Sequence, residues 1–301
     1  MFARFIQSWR EKGWEETSAD VYARAYEQYG GSVITHPGII QKISLLAGIP
    51  LRFLAYRSEK NIIGAMPIWG NYIAGSRRAL KAYRADNRVD MGNPEIILPL
   101  SPEHQFSLRH RAMFVSEQHA RQVPALKRQR DTLSMLKQYS RGEFSRKFKY
   151  NQRRELRLLE ESGAELRAVS EFTPEQLAGW YVNLFERRWG FKPKAHAHMR
   201  EQLTALQPYL TGQLIMMNQR AIALQLLFSA ESPQWISVEY INSGVDPEYQ
   251  KLSPGSVLTF VNTLAAEERA ISLGKTLRYS FGKSDAEYKE RWCNKMAVYQ
   301  I

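Results

Sequence analysis

The 301-residue sequence contains a single cysteine, Cys293. One thiol excludes an intramolecular disulfide framework and any multi-cysteine metal site, and it fits a reducing compartment. Long apolar runs are also missing, since no stretch of about 18 apolar residues occurs and no segment is expected to cross a bilayer as a helix. The first ten residues lack the apolar core of a secretory signal, so export is not expected. Acids are in deficit as well: 30 Asp and Glu stand against 42 Lys and Arg, for a net charge of +12. Such an excess favours an anionic partner, whether nucleic acid, a phospholipid surface or a phosphorylated substrate. What is present suffices for a core, with 44% hydrophobic and 12% aromatic residues. The chain reads as globular, and its length allows two domains of about 150 residues each.

The most informative stretch runs from Trp235 to Trp292. Ile236, Val238 and Tyr240 alternate with Ser237 and Glu239, the pattern of a half-buried strand. Val257, Val261, Leu264 and Ile271 then recur at helical spacing up to Gly274, with Ser253 and Pro254 suited to the N-cap and first turn. Thr276 to Phe281 follows as a second strand. A strand, crossover helix and strand thus enclose a turn, Gln250 to Ser256, whose free amides and helix dipole suit an anion such as a pyrophosphate. A simple helix start is the alternative reading.

Elsewhere, helices are expected from Ser18 to Tyr29, and from Thr35-His36-Pro37 to Leu46. Strands are expected over 51–57, 62–69 and 95–98. The basic residues Arg77, Arg78, Lys81, Arg84 and Arg88 cannot be placed on one face. From Lys127 to Arg157 eleven Lys or Arg face three acids, with Phe144, Phe148 and Tyr150 interleaved. That stretch has helical propensity broken at Gly142, and serves either as a solvated connector or as a phosphate-binding surface. Beyond it come a strand over 164–169, helices over 173–189 and 195–209, and a hairpin across Asn218-Gln219. The chain ends in a short helix over 285–292 and a last strand over 296–300. Phe2, Phe5, Ile6 and Trp9 share a helical face beside Arg4 and Arg10, a segment that either lies in a headgroup layer or packs on its own domain.

The turn at Ser253-Pro254-Gly255-Ser256, the helix behind it, and the run from Tyr279-Ser280-Phe281-Gly282 to Tyr288-Lys289 and Trp292 resemble the CelD/BioF-like, FemAB-like branch of the GNAT acyltransferase superfamily. Phe148 to Leu156, Arg187-Arg188-Trp189 and Thr35-His36-Pro37 also resemble that branch. Within it the chain is similar to the macrophage-inducible Mig family, associated with resistance to cationic antimicrobial peptides and with the inner membrane. The resemblance implies an α+β fold of tandem GNAT-like domains, with mixed central sheets flanked by helices. Residues 1–125 would form a degenerate first domain, 126–162 a basic helical connector, and 163–301 the acyl-donor-binding domain. It further implies an N-acyltransferase or aminoacyltransferase using acetyl-CoA or another acyl-CoA, without a metal. The enzyme would work from the cytoplasmic side, peripherally on an anionic inner-membrane surface, on an amine-bearing envelope acceptor. The alternative is a non-catalytic basic protein that binds anionic membrane or nucleic acid. Two positions depart from the family pattern: Ser253 replaces a glycine of the pyrophosphate turn, and Ser280 replaces an aspartate.

Acyl transfer to an amine needs a base, a site for negative charge on the carbonyl oxygen, and a donor for the leaving thiolate. Glu239 is the candidate base and Tyr288 the candidate acid, against the readings of an exposed strand carboxylate and a packing tyrosine. Gln250, Lys251, Ser253, Gly255, Ser256 and Lys289 are the candidate donor contacts. Lys147, Lys149, Arg153 and Arg154 are the candidate contacts to an anionic surface. His196-Ala197-His198 is not expected to hold a metal, because its surroundings read as helix.

Overall fold

The computed structural model describes residues 9–301. The segment carrying Phe2, Phe5 and Ile6 therefore lies outside the described residues. Trp9 is exposed, with the Arg109 guanidinium 4.2 Å above its ring.

In the N-terminal half, β1 (Trp14–Thr17), β2 (Arg52–Ser58), β3 (Asn61–Trp69) and β4 (Tyr72–Ile73) form an antiparallel sheet in that order. Helix α1 (Ala19–Tyr29) packs on β2 and β3, and α2 (Pro37–Ala47) packs on α1. Both start where capping chemistry places them. Ser18 Oγ accepts from Val21 N–H, and His36 Nδ1 accepts from Gly38 N–H at 3.2 Å, just before Pro37 at the first helical position. Burial holds His36 neutral, lowering its pKa to about 4. A short α3 (Arg77–Ala82) precedes an irregular stretch that ends at β5 (Val115–Ser116). The strand expected over 95–98 is instead extended chain carrying one isolated bridge, Ile96 to Val115.

The C-terminal half is built on eight strands in the order β5-β12-β6-β11-β10-β9-β8-β7. The new members are β6 (Lys127–Leu136), β7 (Glu165–Ala168), β8 (Gln213–Met217), β9 (Arg220–Glu231), β10 (Trp235–Val245), β11 (Thr276–Lys283) and β12 (Cys293–Gln300). Every neighbouring pair is antiparallel except β10 with β11. The β8–β9 turn falls on Asn218 and Gln219, both at positive φ as a two-residue hairpin turn requires.

Lys127 to Arg157 is thus not one helix, and the helical connector expected over 126–162 is corrected. Its first ten residues are β6, paired with β11 on one side and β12 on the other. The dense charge at Lys127, Arg128 and Arg130 hides the apolar run Leu133 to Leu136, which carries the buried end of the strand. Helix α4 begins only at Arg146, capped by Ser145 Oγ on Phe148 N–H, and ends at Glu161.

Two sets of helices cover the large sheet. On one face lie α5 (Pro174–Trp189), α6 (Met199–Leu206) and the N-terminal half; on the other lie α4 and α7 (Pro254–Ser272). Adjacent residues of β10 show this: a Cβ on Gly244 would meet Leu184 of α5, whereas Val245 meets Gly255 of α7. Strand β10, expected to be half-buried, is therefore buried on both faces. One continuous apolar core, including Trp69, Ile34, Tyr181 and Phe228, joins the N-terminal half to α5, α6, β8 and β9.

Candidate functional site

Strands β10 and β11 run parallel and in register from Trp235–Thr276 to Glu239–Ser280, and pair no further. Beyond that point β10 stays with β9, while β11 turns to β6 through an irregularity between Ser280 and Lys283. A bulge at Ile241, between the paired residues Tyr240 and Asn242, bends β10 away. On β11 the divergence is fixed by Gly282 at φ 70°, whose N–H donates to Ser280 Oγ at 3.1 Å. From Tyr240 to Val245 one edge of β10 faces no strand.

A cavity of about 400 Å³ opens in this gap. Tyr240, Asn242 and Gly282 form its floor, Tyr288 and Lys289 of the short helix α8 (Tyr288–Trp292) one side, and Trp189 with Lys194 another. The roof comes from the N-terminal half: Arg77, Asp86, Asp90 and Asn93. Most of its charges are matched within the wall. Lys194 pairs with Asp86 at 2.8 Å, Lys289 with Asp285 at 2.9 Å, and Arg77 donates to Asn93. Arg188 donates to Ser243 Oγ at 2.7 Å and stands beside Tyr240 and Tyr288.

The turn before α7 lies at the other end of the open edge of β10. Asn242 reaches the cavity and Val245 packs on Gly255, so about three residues, or about 10 Å of strand, separate cavity and turn. Ser253 is the N-cap in a left-handed conformation (φ 52°, ψ 39°), which is where the family glycine would sit without strain. The serine keeps that backbone shape. Its hydroxyl does not cap the helix, so the 19-residue α7 has no side-chain cap. Ser256 and Val257 N–H both turn to Ser253 O, and no acceptor among the described residues reaches Gly255 N–H. Asp246, whose side chain accepts from Glu248 N–H, and Arg187, which pairs with Asp246 and Glu248, fix the approach to the turn.

Placement of the expected site residues is uneven. Tyr288 lies in the cavity wall against Tyr240, and burial raises its pKa and keeps the phenol protonated. Lys289 is there too, but its ammonium is engaged by Lys283 O at 2.6 Å and by Asp285, so it braces the loop after β11 and stands apart from the α7 turn. Gln250 and Lys251 are exposed in the tight turn before α7; Ser253, Gly255 and Ser256 are half-buried, with Ser256 Oγ donating to Gln152 of α4 at 3.0 Å. None of these five lines the main cavity.

Glu239 is 1% exposed and outside the cavity wall. Its Oε1 accepts from Glu95 N–H at 2.8 Å, across the seam between the halves and beside the Arg278–Glu95 ion pair. Burial first, then the Glu95 charge, raise its pKa well above the ordinary carboxylate value. The structure thus places the expected base in the seam, enclosed and away from the cavity. Lys147, Arg153 and Arg154 are exposed on α4, and Lys149 is half-buried. They lie on the sheet face opposite α5. Asp90, Asn93, Arg77 and Arg188 were not anticipated; the one local signal was the turn-rich Asp90-Met91-Gly92-Asn93-Pro94.

The parallel pair that parts at a bulge, with a long uncapped helix between its strands, matches the strand–turn–helix resemblance seen in the sequence. The chain belongs to the Mig-14 family. The match spans residues 36–301. No curated protein is similar enough in sequence to count as a relative. Among solved structures, FemX is similar with a TM-score of 0.56 at 10% identity, covering 95% of this chain and 96% of FemX. At that identity the likeness concerns the fold, which is α+β and FemAB-like as expected. A tandem GNAT protein from the clavulanic acid pathway aligns at TM-score 0.45 and 12% identity, over 95% of this chain and 97% of that one. Among the described residues of this Mig-14 family member, no group of three or more His, Cys, Asp or Glu is placed to hold a metal, and no helix is long and apolar enough to cross a membrane.

Proposed function

We propose that this chain is a GNAT-like N-acyltransferase or aminoacyltransferase that works on an amine of the bacterial envelope from the cytoplasmic side, and so contributes to resistance against cationic antimicrobial peptides. The observation that carries the reading is the open edge of β10, with the cavity at one end and the uncapped α7 terminus at the other. A long, thin donor with an anionic end fits that arrangement. Acyl-CoA, when bound, supplies the activated carbonyl. Gly255 N–H and the positive end of α7 would receive its phosphate, with exposed Lys251 alongside. Tyr288, held un-ionised, would donate a hydrogen bond to the thioester sulfur, and Arg188 at the cavity edge would place positive charge near its carbonyl oxygen. Acetyl-CoA is the simplest donor of this class.

The same reading gives α4 the membrane contact. Its outer face carries Lys147, Arg153 and Arg154 with Tyr150, which is 65% exposed, and its ion pairing among the described residues is Arg157 with Glu161. Cations beside an exposed tyrosine suit anionic headgroups. A non-catalytic membrane or nucleic-acid binder would use this face alone and leave the cavity idle. The deciding experiment is thermal unfolding with and without CoA. CoA at about 100 times its Kd should stabilise the protein by about 2.7 kcal/mol, and Gly255→Asp should remove that gain. No stabilisation of the wild type by CoA or its acetyl ester refutes the transferase reading.

A further inference from the structure

We propose that Asp90 is the carboxylate that receives a primary ammonium group of the acceptor, and that Gln202 sets its position. The assignment deepens the transferase reading and rests on it for the word acceptor; the binding site itself does not. Asp90 stands in the roof of the cavity, over the gap between β10 and β11. Its Oδ1 accepts from Gly92 N–H at 2.9 Å. No donor among the described residues reaches Oδ2. The cavity's other carboxylates are already paired, Asp86 with Lys194 and Asp285 with Lys289. Asp90 is the one left to take a cation from outside.

Its backbone is held more firmly than a surface loop requires. Gln202, fully buried on α6, accepts from Asp90 N–H at 2.9 Å and donates to Asp90 O at 2.8 Å. This two-point clamp ties a loop of the N-terminal half to a helix of the C-terminal half, and both partners are lost together if either side moves. Asp90 Oδ2 accepts one of the three N–H donors of an ammonium. Burial raises the Asp90 carboxyl above its ordinary range, with Gly92 N–H and Arg77 drawing it back, so a bound ammonium stabilises the ionised form.

The test uses the full chain and three small probes, n-butylamine, n-butanol and tetramethylammonium, titrated at pH 7 with amide chemical shifts as the readout. Butylammonium is expected to shift the Gly92 and Tyr240 amides, with the uncharged alcohol and the N–H-free tetramethylammonium at least tenfold weaker. That comparison needs no variant. Asp90→Asn, which retains the acceptor for Gly92 N–H, should weaken butylammonium at least tenfold; Gln202→Leu should weaken it severalfold while CoA-dependent stabilisation is unchanged. Gly255→Asp should lose CoA and keep butylammonium. Equal binding of amine and alcohol by the wild type, or an unchanged amine affinity in Asp90→Asn, overturns the proposal. Asp90-dependent amine binding in a protein that ignores CoA upholds it while removing the transferase reading.

Discussion

Glu239→Gln separates a seam residue from a catalytic base. In the folded protein the Glu239 carboxyl is fully buried and its pKa is raised by desolvation, whereas in the unfolded chain it titrates near 4.3. Below the unfolded value both states are protonated, and the folded state has its full stability. As pH rises above it the unfolded chain releases a proton that the folded protein retains, so stability falls until the folded pKa is passed. One proton of difference corresponds to about 1.4 kcal/mol for each pH unit in that window. Glutamine is isosteric, keeps the oxygen that accepts from Glu95 N–H, and cannot ionise. Urea unfolding of both proteins at pH 5, 6 and 7 should therefore show the variant gaining on the wild type as pH rises, by up to about 1.4 kcal/mol per unit. Other titrating groups are common to both and cancel. Parallel stability curves would refute the reasoning, because they would mean that Glu239 is ionised in the fold. Loss of acetyl transfer to an amine by a stable Glu239→Gln protein would restore it as the base.

Further outcomes are expected. Tyr181→Phe removes a buried hydroxyl that has no partner among the described residues, so thermal unfolding should show unchanged or higher stability, by up to about 1–3 kcal/mol; a loss of stability would mean that the hydroxyl is hydrogen-bonded in the fold. Reversing Lys147, Arg153 and Arg154 to Glu should weaken binding to phosphatidylglycerol vesicles at least a hundredfold, on a scale of about 1 kcal/mol per cation, and leave CoA stabilisation intact; unchanged sedimentation with vesicles excludes α4 as the contact. Ser253→Gly relieves the left-handed strain at the N-cap but frees the unfolded chain, two effects of about 1 kcal/mol that oppose each other. Its Tm should stay near that of the wild type with CoA binding retained, and a lost CoA response would show that the serine hydroxyl makes the contact.

The readable parts of the sequence were those where local chemistry and tertiary packing agree. Thr173-Pro174 caps α5, Asn218-Gln219 turns the β8–β9 hairpin, and the strand–helix–strand from Trp235 to Phe281 has its periods intact. Local patterns mislead where distant contacts decide. Strand β6 is fixed by ladders to β11 and β12, whose residues lie about 150 positions away and leave no trace in local propensity. Period two places Glu239 opposite Val238, the pattern of an exposed position, but the N-terminal half covers that face. The cavity roof was the least legible segment, since Asp90 and Asn93 are held by Gln202 and Arg77 and by no regular element of their own. Ser253 was legible as a departure from the glycine pattern, yet only the backbone angles show that the turn survives it.

The central claim is that a donor phosphate sits on the first turn of α7. Its most direct test is the Gly255 amide resonance of ¹⁵N-labelled protein during titration with CoA. The account predicts a saturable downfield shift of that amide, mirrored by inorganic pyrophosphate and absent with pantetheine. A Gly255 signal that stays put while CoA perturbs residues elsewhere would contradict it.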